Sequence, residues 1–365
     1  MKVISREPAL SIFAGQKALT ILRDEGLRLD RVKVLTGAAG GPKWLVLHGM
    51  DNALFTRLTQ RRHPLFLIGA SIGTWRFLCA ALGDGALARF REAYIEQRYR
   101  GKPTPRKVTE ESLRILKQLM GKCSAEKALA HPVLRLNILT VRSRHLVGDS
   151  RNIVQSLGLA GAVFANLAQR KLLRYFFERT LFYDQCSNSP FPTLNDFPTR
   201  QVPLSPANLL PAVLASGSIP LVMEGIQNIP GAPAGTYRDG GMIDYHIDID
   251  LLKGDDASLI LYPHYTDRIV PGWLDKRLAW RTPVSASMDN LVLLAPSREF
   301  VSALPFGKIP DRDDFVRFFG RDAERIAYWR AVVTAGERIA EEFMEAMDSG
   351  KIRERVKPLP WKAFR

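Results

Sequence analysis

The sequence predicts an α/β fold: a largely parallel central sheet flanked by helices, with a helical cover at the C-terminal end. Three observations carry this. Two apolar runs, 31–36 and 64–69, each end in a glycine-containing loop that leads into a helical pattern. Two strand–loop–helix units in succession favour parallel strands joined by crossover helices. Near the end, Ile326, Trp329, Val333, Ile339, Phe343 and Met347 trace one face of a long amphipathic helix stopped by Gly350.

In chain order, residues 12–25 read as a helix ending at Gly26. RVKVLT (31–36) is a strand, followed by the loop GAAGGP and a helix that tolerates Pro42 in its first turn. Leu45, Leu47, Met50, Leu54 and Leu58 give that helix its apolar face. PLFLIG (64–69) is a second buried strand, and a helix runs on from Ser71 through 75–82. The polar, basic stretch 85–127 reads as helical, with Thr109 as the N-cap of EESLRILKQLM. RLNILTV (135–141) is a strand; 162–179 reads as a helix before the short strand TLFYD. A helix is expected over 205–215, an extended segment broken by glycines at TYRDGGMID, and a strand at 258–263. No composition shift marks a linker. The expected organisation is an α/β hydrolase unit over 1–310 with a helical extension, 311–365, packed on the same domain.

Composition bounds the function. Hydrophobic content of 46% and charged content of 24% over 365 residues describe an ordinary globular chain with room for a large core. Three widely spaced cysteines (Cys79, Cys123, Cys186) form neither a disulfide framework nor a zinc pattern, which points to a reducing compartment. Glu7 and Pro8 interrupt any signal-peptide core, and no apolar run is long enough to span a membrane, so a cytoplasmic location is expected. Lys and Arg exceed Asp and Glu by 15, which favours polyanions. No zinc-finger spacing or RNA-recognition strand motif is present, so nucleic acid is not expected as a partner. An anionic membrane surface is the expected polyanion, in peripheral contact. The tail 351–365, with six Lys/Arg, one Glu, Leu359, Trp361 and Phe364, is the segment expected to reach it, although it could equally fold back on the acidic helix at Glu341 and Glu342.

Three short motifs carry chemistry. Gly69-Ala70-Ser71-Ile72-Gly73 is a G-x-S-x-G pattern after a buried strand and before a helix, the context of a nucleophile elbow. The serine must stand on a sharp turn with its hydroxyl exposed, and glycines on either side let neighbouring backbone pass. Gly37 to Lys43 is a second strand-to-helix loop whose consecutive glycines uncover backbone N–H groups. Pro42 and Trp44 spoil the phosphate-loop pattern G-x-x-x-x-G-K-[ST], whereas an oxyanion hole needs only a few donors near the serine. Asp239-Gly240-Gly241 supplies a carboxylate with space around it, although the same tripeptide serves as a β-turn elsewhere. A Ser–Asp–His order is also open, because His246 and His264 follow Asp239. The alternating acids of 244–250 are read as a solvated strand edge and not as a metal site.

The motifs occur in one order: Gly40-Gly41-Pro42-Lys43, the serine elbow at 69–73, Ala215-Ser216 with Pro220, and Asp239-Gly240-Gly241. Together they resemble the patatin-like phospholipase family of lipid acyl hydrolases. The family usually has a glycine after the basic residue of the first motif, where this chain has Trp44. The resemblance implies a Ser–Asp dyad without histidine; no metal or cofactor is expected. Ser71 is the expected nucleophile and Asp239 the general base. The amides of Gly40 and Gly41 are expected to form the oxyanion hole, with Gly69, Gly73, Lys43, Gly240 and Gly241 in support. A lipid or other acyl ester is the expected substrate. An acyltransferase using the same dyad, or a basic lipid-binding protein without activity, are the alternatives.

Overall fold

The structure is a computed structural model and describes residues 7–99, 101–121, 124–185, 191, 194, 196–252, 255 and 257–361. Its strands are β1 (Leu10–Ala14), β2 (Val32–Gly37), β3 (Leu65–Ala70), β4 (Leu134–Ser143), β5 (Phe177–Tyr183), β6 (Thr199–Pro203), β7 (Ile226–Gln227), β8 (Thr236–Asp239), β9 (Leu259–Pro263), β10 (Leu291–Pro296) and β11 (Val356–Pro358). Its helices are α1 (Gln16–Glu25), α2 (His48–Leu58), α3 (Ile72–Leu82), α4 (Ala86–Ile95), α5 (Pro105–Met120), α6 (Ser124–Leu129), α7 (Asn152–Ala168), α8 (Pro206–Ser216), α9 (Gly241–Asp244), α10 (Arg298–Ala303), α11 (Asp314–Arg317), α12 (Asp322–Asp348) and α13 (Ile352–Arg355).

The strands form one sheet in the order β11-β1-β10-β9-β2-β3-β4-β5-β6. The run β10-β9-β2-β3-β4 is parallel throughout, and β3 is buried at every position, as expected where helices cover both faces. The expected α/β class with a largely parallel sheet is the observed one. β8 is the informative departure. It pairs antiparallel with the second half of β4, on the side where β3 has already ended. Ala70, the last residue of β3, lies opposite Leu139, and Asp239 lies opposite the next residue, Thr140. β4 therefore acts as a ruler that sets the ends of β3 and β8 against each other.

The C-terminal cover is α12, which packs on α2 and on the 3₁₀ turn Gly41–Leu47. Gly336 permits the closest approach, because a Cβ there would lie 2.4 Å from the Val46 carbonyl oxygen. Trp44 lies fully buried in the same turn and stacks on Phe90 at 5.1 Å, so the chain leaves the glycine loop through a 3₁₀ turn before α2 begins at His48.

Several sequence expectations are corrected. Residues 10–14 are a strand, because Gly15 breaks the chain and its close contact with Met288 and Asp289 leaves no room for a side chain. The N-cap of α5 is Thr104, whose hydroxyl accepts from the Lys107 amide ahead of Pro105. Thr109 lies inside the helix and bonds the Pro105 carbonyl. The helix expected over 162–179 begins ten residues earlier, at Asn152, and ends at Ala168; β5 already starts at Phe177. The glycine-broken extended segment after Asp239 closes into the short helix α9. The C-terminal tail is committed to the fold. β11 pairs with β1, Arg355 bonds Glu342 at 3.2 Å as the fold-back alternative expects, and Leu359 and Trp361, partly buried, pack against the core. Phe364, Cys123 and Cys186 lie outside the described residues. Cys79 is buried and its thiol is pushed up by that burial. Among the described residues, no helix is long and apolar enough to cross a membrane.

Candidate active site

Ser71 sits at the tip of the β3–α3 turn with φ 54° and ψ −128°. A non-glycine residue there stores strain, and the backbone around it must be thin. A Cβ on Gly73 would lie 2.1 Å from the Gly37 carbonyl oxygen, and one on Gly69 would lie 2.7 Å from the Thr74 nitrogen. These two glycines let β2, β3 and α3 meet at one corner. The positive end of α3 points at the serine.

The Ser71 hydroxyl donates to Asp239 Oδ2 at 2.7 Å, closing 168 residues of sequence. The other carboxylate oxygen accepts the Gly241 amide at 2.7 Å. Gly240 must lack a side chain, since a Cβ would meet the Leu139 carbonyl oxygen at 2.3 Å. Burial pushes the Asp239 pKa up to about 6, against the Ser71 and Gly241 hydrogen bonds and the positive charges of Arg312 and Lys276, which pull it down. A carboxylate so placed is ionised at neutral pH and basic enough to take a proton.

Ser216, in the Ala-Ser helix end of the sequence, has a specific position. Its Oγ accepts the Ser71 amide at 2.9 Å and donates to the Leu139 carbonyl at 2.7 Å. The amide of the elbow is thus tied to the same β4 residue that faces the end of β3.

Gly40 and Gly41 border the cavity that contains Ser71 and Asp239. Among the described residues, their amides have no internal backbone acceptor. Gly40 lies flat against Tyr265, where a Cβ would come within 2.6 Å of the ring, and Gly41 has φ +57°. Lys43 is half-buried over the Tyr265 ring at 4.9 Å, and its pKa is lowered by burial first.

The histidines are engaged elsewhere. His246 Nδ1 accepts the Val270 amide at 2.9 Å, and its Nε2 lies 2.7 Å from the Tyr265 hydroxyl, which itself donates to the Ala39 carbonyl. That pattern places the proton on Nε2. His264 Nδ1 accepts the Thr266 amide at 3.1 Å. Burial lowers both, His264 to about 3. Through Tyr265, His246 is tied to the glycine loop, while His264 Nε2 has no hydrogen-bond partner among the described residues; the Ser71 hydroxyl donates to the Asp239 carboxylate and not to either ring. The acids of 244–250 are not the solvated strand edge expected: no strand covers them, Asp244 ends α9 buried and held by Arg179 at 2.7 Å, and Asp248 accepts the Val284 and Ser285 amides at 2.8 Å.

Two cavities meet at Ser71. One, about 390 Å³, is lined largely by apolar groups such as Trp75, Phe90, Val108, Ile115, Val222 and Phe315. The other, about 240 Å³, holds Asp239 together with Lys43, Lys276, Arg312, Asp311 and Asp313. Gly41, Ser71, Ile219, Arg312 and Asp313 border both. Arg312 and Lys276 were not legible in the sequence. They come from separate loops, and no local pattern marks them. Lys276 lies at the cavity rim with its ammonium 4.2 Å from the Tyr245 ring centre, and its pKa is lowered by partial burial, then by Arg312 and Lys43.

No protein-family model matches the chain, and no curated protein matches it by sequence. Among solved structures it is similar to the human GIVD cytosolic phospholipase A2, with 11% identity and a TM-score of 0.39 over 95% of this chain. It is also similar to VipD from Legionella pneumophila, with 12% identity and a TM-score of 0.38 over 96% of this chain. The chain spans 66% of the phospholipase, just under two thirds, and 72% of VipD.

Proposed function

We propose that the protein is a serine lipid acyl hydrolase of the patatin-like type, acting through an acyl-enzyme on Ser71 with Asp239 as general base. One observation carries the reading: a strained serine whose hydroxyl donates to a buried carboxylate at 2.7 Å, at the mouth of an apolar chamber. In this reading residues 1–310 form the catalytic unit and 311–365 a cover on the same domain that lends Arg312 to the site.

The chemistry needs only these groups. Asp239 takes the Ser71 proton as Oγ bonds to the acyl carbon, and the carbonyl π electrons move to oxygen. The amides of Gly40 and Gly41, with the α3 N-terminus, receive that oxyanion. Collapse breaks the bond to the leaving alkoxide, which takes the proton from Asp239 and departs as an alcohol. Water then gives a proton to Asp239 and attacks the acyl carbon. Ser71 leaves with that proton and a carboxylic acid is released. The acyl chain occupies the apolar chamber, while the polar part of the ester faces Lys43, Lys276 and Arg312.

The test is fatty-acid release from a panel of phospholipids and neutral acyl esters by wild type and Ser71→Ala. Release by wild type and loss of about a thousandfold or more in the variant supports the reading. Equal release by both contradicts it.

A further inference from the structure

Helix α7 has no Asp, Glu, Lys or Arg in its 17 residues. Its inner face is accounted for: Gln155, Gly158, Leu159, Ala162 and Asn166 are buried, and Leu159 and Ala162 share a small core with Met242 and Ile243, beside Asp239. Its outer face is apolar as well. Ile153 (79% exposed), Leu157, Phe164 (73% exposed) and Leu167 recur at helical spacing in one stripe facing water. A surface helix normally places charge there; a helix apolar all round is buried or meets lipid.

Two further features say what meets this stripe. The first is its connection to the site. Gln155 of α7 accepts the Leu221 amide at 3.1 Å, Leu221 and Val222 are themselves exposed, and Val222 lines the apolar chamber. The stripe is therefore tied to the rim of the chamber. The second is charge. Residues 142–176 contain six Lys/Arg and one acid, Asp149. Asp149 pairs with Arg151, Glu178 with Arg142 and Arg144, and Asp275 with Arg170. Lys171 and Arg174, just beyond the helix, have no ion-pair partner among the described residues. Two copies meeting in parallel through α7 would set Lys171 and Arg174 against their own counterparts, and meeting in antiparallel would set them against acids already paired, so neither arrangement supplies the anions they lack. An anionic lipid surface complements both the stripe and its rim.

We infer that α7 is the membrane-docking element: its outer stripe enters the interface of an anionic lipid surface, Lys171 and Arg174 meet the headgroups, and the mouth of the apolar chamber is held at the lipid. The orientation of the chamber rests on the acyl-hydrolase reading; the docking does not, so binding and chemistry are tested separately.

The experiment is flotation of the full chain with vesicles of phosphatidylcholine, and of phosphatidylcholine mixed with phosphatidylglycerol. Wild type should bind the mixed vesicles and release them as salt rises. The triple variant Ile153→Ser/Leu157→Ser/Phe164→Ser should bind them at least about tenfold less. Lys171→Gln/Arg174→Gln should lose most of the preference for anionic lipid. All three proteins should melt alike and label alike with a soluble fluorophosphonate. Loss of labelling in every protein with vesicle binding intact would sink the chemistry and leave the docking standing. Wild type that ignores vesicles, a triple variant that binds as wild type does, or equal binding to neutral vesicles overturns the docking. So does sedimentation showing a wild-type dimer that the triple variant converts to monomer, which would assign the stripe to a second copy.

Discussion

The backbone amide of Ser71 donates to the Ser216 hydroxyl, 2.9 Å away, and that hydroxyl donates in turn to the Leu139 carbonyl. Ser216 thus holds the elbow by its backbone while Asp239 holds its hydroxyl. Replacing Ser216 with Ala leaves a buried amide and a buried carbonyl without partners, which costs about 1–3 kcal/mol. We expect Ser216→Ala to lower kcat roughly tenfold or more with little change in KM, because the residue positions the nucleophile and does not face substrate. Steady-state kinetics separate the two constants; a rise in KM alone would contradict a positioning role.

Asp239 must be ionised to act as base, and burial raises it from 3.8 to about 6. Hydrolysis should therefore fall as pH drops through about 6. The same shift has a stability consequence. A carboxyl with a raised folded-state pKa favours folding in its protonated form, and that contribution is lost as pH rises from 3.8 through about 6. Asp239→Asn removes the penalty. It should melt higher than wild type at neutral pH, by roughly 2–3 kcal/mol of stability, with the gain vanishing toward acid. Thermal melts at several pH values check this; a variant less stable than wild type at neutral pH would contradict it.

Arg312 and Lys276 lower the Asp239 pKa by their charge. Removing either should move the acid limb of kcat/KM to higher pH, on the order of half a unit. Arg312→Met and Lys276→Met are the variants, and the pH profile is the readout. An unmoved limb would mean that neither charge reaches the carboxylate.

The apolar chamber sets acyl length in this account. Val108 and Ser112 line it from α5 and are only partly buried there, so larger side chains fit without breaking the core. Val108→Trp and Ser112→Phe should lower kcat/KM for long acyl esters about tenfold relative to short ones. A uniform effect on both lengths would place the acyl chain elsewhere.

The parts of the fold legible in the sequence are those encoded locally. The β3–Ser71–α3 corner is marked by an apolar run and two glycines, and both glycines are required by contacts under 3 Å. Gly40, Gly240 and Gly241 are held by contacts under 3 Å in the same way, and Gly41 by its positive φ. The β4 ruler that brings the end of β3 to Asp239 is long-range and has no local signature. Strand β1 is masked by the helix that follows it, and the start of α7 by its two glycines, Gly158 and Gly161, and its lack of charge, which removes the charged face that marks a surface helix. Thr104 differs from Thr109 by the proline that follows it, a cue for a helix start that the sequence did contain. Arg312 and Lys276 reach the site from loops whose placement only the tertiary structure determines.

The central claim is that Ser71 is a nucleophile made reactive by Asp239 and by no histidine. A fluorophosphonate probe followed by peptide mass spectrometry tests it most directly, applied to wild type, Ser71→Ala, Asp239→Asn, His246→Gln and His264→Gln. The account predicts a single adduct on Ser71 in wild type, none in Ser71→Ala, and labelling slowed about a hundredfold or more in Asp239→Asn. Both histidine variants, where folded, should still label at Ser71. Labelling that persists in Ser71→Ala, or that disappears in a folded histidine variant while Asp239→Asn still reacts, would contradict it.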